Sequence, residues 1–228
     1  MLKSHPSKSV SFAFFDVDET LISTKSMFGF IDVYFSMYPD HDLKKSLYDD
    51  IKQQKDSGTA REVINRHYYS YFTHFPIRQV LKACQEWFNQ QSANPLAFYH
   101  SNVVQLLKQH QANGYECVFV SGSFRELLQP IADALGVHHI LSINLERHGL
   151  AYTGNIIPPQ TIGDGKAQAL SLFLAEHHSD PESCFAYGDD ISDAPMLELV
   201  GSPMAVSGSP ALESYAKKQG WSIVHPYE

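Results

Sequence analysis

Apolar residues along this chain follow two alternating periods. Residues 10–15, Val-Ser-Phe-Ala-Phe-Phe, form a short, nearly continuous apolar run that suits the middle of a parallel sheet buried on both faces. Residues 115–120 and 184–187 repeat that pattern, and 204–206 supply a fourth strand. Between these runs the period becomes helical. Residues 103–111 predict a helix stopped by Asn113-Gly114, and 124–135 predict another closed by Gly136. Further helices are expected over 167–178, 196–200 and 210–219. Alternating strands and helices of this kind specify an α/β fold around a parallel sheet. Residues 140–157 read as a small β excursion, with turn signals at His148-Gly149 and Thr153-Gly154-Asn155.

The texture changes between the first strand and residue 97, where no strand signal occurs. Phe28, Ile31 and Phe35 recur at helical spacing over 27–38, and Leu43, Leu47 and Ile51 do so over 42–55. Gly58 breaks the pattern. Thr59-Ala60-Arg61-Glu62 has the form of a capping box and opens a helix through 63–72. Pro76 starts another, with Val80, Leu81, Cys84 and Trp87 on one face. The aromatics His67, Tyr68, Tyr69, Tyr71, Phe72 and Phe75 could line a binding pocket, but are read first as the core of a small helical bundle inserted after the first strand.

Each apolar strand ends abruptly in polar residues. The first stops at Asp16-Val17-Asp18-Glu19-Thr20, the second at Ser121-Gly122-Ser123, the third at Gly188-Asp189-Asp190-Ile191-Ser192-Asp193. The carboxyl edge of an open α/β sheet is where ligands bind. Strand alternation sends Asp16 and Asp18 to the same side. Two carboxylates that close repel, so one holds a proton unless a cation lies beside them. Three aspartates within five residues of the third strand end raise the same demand, and hard oxygen ligands of this kind suit Mg2+. Ser121-Gly122-Ser123 before a helix offers a hydroxyl and backbone N–H groups to an anion. Lys166 opens a helix, where a cation opposes the macrodipole, which suggests a task other than capping; taken alone it fits a solvated surface lysine equally well.

Bulk properties narrow the classes. The 228 residues are 43% hydrophobic and 18% charged, ordinary values for a globular protein with one large domain or a domain plus an insertion. A formal net charge of −8 with no basic run argues against a nucleic-acid partner. No run is long and apolar enough for a signal peptide or a membrane span. Cys84, Cys117 and Cys184 are odd in number and widely spaced, as expected of reduced thiols in a cytoplasmic protein. The pairs His138-His139 and His177-His178 are read as surface residues, because adjacent side chains point apart.

Taken in order, DVDET, SGS, a helix-initial lysine and GDDISD resemble the four motifs of the haloacid-dehalogenase-like phosphatase superfamily. The resemblance spans nearly the whole chain. It is greatest to the phosphoserine-phosphatase-like branch, through the helices after the first motif, VSGSFRELLQPIADALG around the second, and a Thr-Gly hairpin before the lysine. It implies a doubly wound, Rossmann-like parallel sheet formed by residues 1–22 and 98–228, with an all-helical cap of the C1 type over 23–97. It also implies a Mg2+-dependent phosphomonoester hydrolase acting on a small phosphorylated metabolite. In that scheme Asp16 is the nucleophile that becomes a phosphoaspartate, and Asp18 is the general acid and then the base. Ser121 and the Gly122 N–H hold the phosphoryl group, and Lys166 neutralises its charge and keeps Asp16 ionised. Asp16, the Asp18 carbonyl and Asp189 bind the metal, while Asp193 orients the lysine or supports the metal. Two positions depart from phosphoserine phosphatases. Their glutamate nine residues after the nucleophile, which grips the substrate ammonium, is Lys25 here, and the place of their cap arginine falls on Tyr68. Phosphoserine is therefore not the expected substrate; Lys25 would repel its ammonium. A phosphotransferase using the same intermediate and a non-catalytic phospho-acceptor switch remain the alternatives.

Overall fold

The computed structural model describes residues 10–227. The first strand, β1 (Phe12–Phe15), is followed by helices α1 (Ser26–Met37), α2 (His41–Asp56), α3 (Arg61–Ser70), α4 (Ile77–Ser92), α5 (Pro95–Phe98) and α6 (Ser101–Ala112). Strand β2 (Glu116–Phe124), helix α7 (Arg125–Leu135) and strands β3 (His139–His148) and β4 (Ala151–Ile157) come next. The chain then forms α8 (Asp164–Glu176), β5 (Phe185–Gly188), α9 (Ala194–Leu197), β6 (Ser202–Val206), α10 (Pro210–Gln219) and β7 (Ser222–Val224). The seven strands lie in the order β4-β3-β2-β1-β5-β6-β7. All neighbours are parallel except β3 and β4. The sheet is wound in both directions from β1, whose carboxyl end is the switch point between β2 and β5.

Both faces of β1 are buried, as its apolar run requires. Phe12 and Phe14 pack with Val118, Val120, Leu170 and Ala186 on one face. Ala13 and Phe15 pack with Phe119 and Tyr187 on the other, where the Phe15 and Tyr187 rings stack at 4.5 Å. The helical insertion has no core of its own. Phe30, Ile31, Leu47, Tyr68, Tyr69, Phe72, Val80, Cys84 and Trp87 belong to the same buried cluster as Phe15, Phe119 and Leu128. The insertion also covers the sheet edge. The His74 N–H donates to the Tyr152 carbonyl, and the Ile77 N–H donates to the Leu150 carbonyl. Backbone groups of an edge strand that would otherwise be open to another chain are thereby paired.

Several expectations need correction. Thr59 does not cap α3; the N-cap residue is Ala60, with no side-chain cap bond, and the Thr59 hydroxyl is shared with Ser57. Leu81 is exposed, whereas Val80, Cys84 and Trp87 are buried. Residues 121–124 continue β2 rather than leaving it, and the register against β3 shifts between Ser121 and Phe124, as in a bulge. Residues 139–148 are a strand of the main sheet, and only β4 turns back. The turn lies at Gly149; Thr153-Gly154-Asn155 is inside β4. Gly154 has φ +85°, and a Cβ there would meet the Thr73 hydroxyl and the Ser70 carbonyl, so the end of α3 packs directly on the strand. Strand β7 was not expected. The three cysteines are buried and free. Among the described residues no helix is long and apolar enough to cross a membrane.

Candidate active site

The polar strand ends meet in one cavity of about 280 Å³ between the sheet edge and helices α1–α3. Asp16 sits at the end of β1, its N–H donating to the Tyr187 carbonyl of β5 at 2.9 Å. Lys166 lies in the first turn of α8 and is 4% exposed. Its ammonium donates to Asp16 Oδ1 at 2.5 Å and to Asp193 Oδ1 at 2.7 Å. Asp193 Oδ2 accepts from the Asp189 and Asp190 N–H groups at 3.1 Å each, so both its oxygens are engaged. That approach requires Gly188, where a Cβ would collide with the Asp193 carboxylate.

Burial raises the Asp16 carboxyl well above the ordinary carboxylate range; Lys166 opposes this, while Asp193 and Asp189 add to it. Burial alone would depress Lys166, but Asp16 and Asp193 outweigh it and its pKa is raised. An ammonium held at contact distance between two carboxylates keeps its proton. Asp189 accepts from the Thr20 hydroxyl at 2.7 Å. Burial, with a further push from Asp193, raises it to about 6.

Asp18 is held differently. Its Oδ2 accepts from the Ser26 hydroxyl at 3.0 Å and the Ser123 hydroxyl at 3.1 Å, and those two hydroxyls contact each other at 2.6 Å. Its Oδ1 is buried without a hydrogen-bond partner among the described residues. Burial raises its pKa against the bonds from Ser26 and Ser123. In the second motif, Ser121 Oγ accepts from the Ser123 N–H at 3.1 Å. The Gly122 carbonyl accepts from Asn65 Nδ2 and from the Tyr69 hydroxyl, each at 3.0 Å. Helix α1 therefore reaches the carboxylate of Asp18, and α3 fixes the peptide of Gly122.

The carboxylates of Asp16, Asp189 and Asp193 have oxygens within 4.8 Å of one another. Asp18 is outside that group, its carboxylate being turned to the serines. Four wholly or partly buried carboxylates face one buried cation here. An excess of hard oxygen donors fits a divalent cation such as Mg2+, with Asp16 and Asp189 the carboxylates less engaged than Asp193. Lys25 and Tyr68 both line the cavity. The Lys25 ammonium is paired with Glu19 at 2.7 Å, which neutralises much of the charge expected to repel an amine. The Tyr68 hydroxyl donates to the Met27 carbonyl at 2.7 Å, so only its ring faces the cavity. Tyr69, Phe72 and Phe75 are buried, but in the core that the insertion shares with the sheet and not in one of its own, while His67 and Tyr71 turn out to Asp50.

Sequence reasoning missed Ser26, Ser123, Asn65, Tyr69, Thr20 and Arg61, the last paired with Asp190. Thr20 and Ser123 stand in the strand-end motifs without having been given a role there, and the burial of Asn65 in α3 is visible only in the fold.

Residues 13–198 match the haloacid dehalogenase-like hydrolase family, and the chain belongs to it. A probable phosphatase of Mycobacterium tuberculosis is 30% identical over 217 residues, 93% of this chain and 74% of that protein. A histidinol-phosphatase of Neisseria meningitidis is 28% identical, with 93% and 97% covered. A Bordetella pertussis protein of unknown function has the same fold, with a TM-score of 0.84 at 23% identity, covering 96% of this chain and 100% of that one. A phosphoserine phosphatase solved as a phospho-aspartyl intermediate analogue superposes with a TM-score of 0.65 at 21% identity, covering 95% and 93%. Its relatives within the family include phosphatases, and the solved structures that share its fold include phosphoserine phosphatases.

Proposed function

We propose that the chain hydrolyses the phosphomonoester of a small metabolite through a phosphoaspartate on Asp16, with Mg2+ as cofactor. The observation that carries this reading is the buried Lys166 ammonium in contact with Asp16 at 2.5 Å, beside an acid whose Oδ1 has no partner among the described residues. Asp16 attacks phosphorus while the ester oxygen departs with a proton from Asp18. Asp18, now a carboxylate, takes a proton from water, whose oxygen attacks the phosphorus and releases phosphate and Asp16. Splitting the transfer lowers each barrier, and proton transfer at Asp18 contributes about 10² to 10⁴ in rate. A raised pKa keeps Asp18 protonated nearer to neutrality, as a general acid needs. Ser121 and the Gly122 N–H hold phosphoryl oxygens, and Lys166 balances their charge. Asp16 and Asp189 would hold Mg2+, which when bound would supply charge neutralisation on the phosphoryl group; Asp193, already committed to Lys166 and two N–H groups, positions the lysine. Residues 23–97 serve as a cap over the site. The acid beside Asp16 favours hydrolysis over a phospho-acceptor switch, which needs a long-lived phosphoaspartate.

Asp16→Asn tests the reading. Phosphate release from para-nitrophenyl phosphate should fall below detection while the circular dichroism spectrum remains that of the folded chain. Residual activity above about 1% of wild type in a preparation free of deamidation, against the 10³-fold or larger loss expected of a missing nucleophile, contradicts it.

A further inference from the structure

Resting on the phosphatase reading above, we propose that the preferred leaving group has an apolar body ending in an anion, such as a carboxylate, that is received by Lys55. The cavity wall above the catalytic residues comes from α1, α2 and α3, and Phe28, Ile51, Ile64 and Tyr68 supply it. This wall offers few polar partners. The Tyr68 hydroxyl is committed to Met27, and the Asn65 side chain to Gly122 and Gln160. A hydroxyl-rich leaving group would shed its water against this wall without replacement bonds, whereas an apolar one gains by burial.

The rim carries charge in a specific arrangement. Lys25 is paired with Glu19, and Arg61 with Asp190. Lys55, from the last turn of α2, has no ion-pair partner among the described residues; its ammonium stands 4.7 Å from the centroid of the Phe28 ring. The rim thus presents one uncommitted cation and two acids already neutralised. A leaving group with a terminal anion would find Lys55 directly above the aromatic wall. One ending in an ammonium would meet Lys55 and no free rim carboxylate. Selection then follows from where the ion pairs are, and not from Lys25.

The test uses three esters with matched reactivity at the phosphorus: para-ethylphenyl phosphate and its para-carboxyethyl and para-aminoethyl analogues. Each is assayed for kcat/KM with Mg2+ on wild type, Lys55→Gln and Lys55→Glu, with Asp16→Asn as the blank. Wild type should favour the carboxyethyl ester over both others. Lys55→Gln should compress that preference by about fivefold, the scale of an exposed ion pair, and Lys55→Glu should place the aminoethyl ester above the carboxyethyl one. Taking ratios between enzymes, ester by ester, cancels intrinsic leaving-group differences. If none of the esters releases phosphate in an Asp16-dependent way, the hydrolase reading fails and the inference with it. Asp16-dependent release with carboxyethyl-to-ethyl ratios equal within twofold in all three enzymes overturns the inference alone.

Discussion

The floor and the wall of the cavity are built on opposite plans. On the floor, Asp16, Lys166 and Asp193 are nearly excluded from solvent, and their charged atoms contact one another at 2.5 and 2.7 Å. On the wall, the charged groups stand at the rim, about half exposed, and pair in short local bridges such as Lys25 with Glu19. Buried charges interact strongly and leave a large penalty if a partner is lost; exposed pairs are screened and contribute little. The floor can therefore fix a reaction that does not depend on the leaving group, while the wall selects among leaving groups by modest increments. Helices α1 and α3 blur this division, because Ser26 and Asn65 reach down from the insertion to Asp18 and Gly122.

The contrast is broken most severely at Lys166. Lys166→Met leaves Asp16 and Asp193 facing each other without their cation, an arrangement that costs about 3–5 kcal/mol when a buried pair loses one partner. We expect a large drop in the urea midpoint and a loss of kcat of at least about 10², as for removal of a charge-stabilising group. A variant with wild-type stability and turnover would show that the buried network is not what holds the site.

Ser26 sharpens the comparison, since it belongs to the insertion but acts on the floor. Ser26→Ala removes one of two donors to Asp18 Oδ2, a loss of about 1–3 kcal/mol, the penalty for leaving a buried polar atom short of a partner. The effect on kcat should be roughly tenfold for alkyl phosphates and small for para-nitrophenyl phosphate, whose leaving group needs little protonation. Ser26→Thr should restore most of the difference. Equal losses on both substrates would mean that Ser26 only supports packing.

A smaller effect concerns Asp189. Its carboxyl, raised to about 6 by burial, must shed its proton for a metal to bind. Above pH 6 the ligand is ionised and Mg2+ affinity should be flat. Below pH 6 the proton competes, and affinity measured by calorimetry should fall up to about tenfold per pH unit. Asp189→Asn should abolish that slope together with most of the binding.

Legibility in the sequence follows the same division. Asp16, Asp18, Ser121, Asp189 and Asp193 stand in short contiguous motifs, each at the end of an apolar run, so strand alternation already brings them to one edge. Lys166 was legible because a cation opening a helix has no local reason to be there. Ser26 and Ser123 were not, because their contact joins positions 97 residues apart, and a serine at a helix start has an ordinary capping explanation. Strand β7 escaped notice because Ser222–Val224 is three residues long and only partly buried. The pairing of Lys25 with Glu19 also could not be read, since the chain must turn back between them, with Glu19 at φ +64°, for the two to meet.

The central claim is that Asp16 carries the phosphoryl group and Asp18 removes it. Asp18→Asn should still be phosphorylated by para-nitrophenyl phosphate, but should lack the base for hydrolysis. Intact-mass and peptide mass spectrometry during turnover should then find one phosphoryl group per chain, on the peptide containing Asp16, in most of the molecules. Slow turnover with no adduct, or with the phosphoryl group on any other residue, would contradict the account.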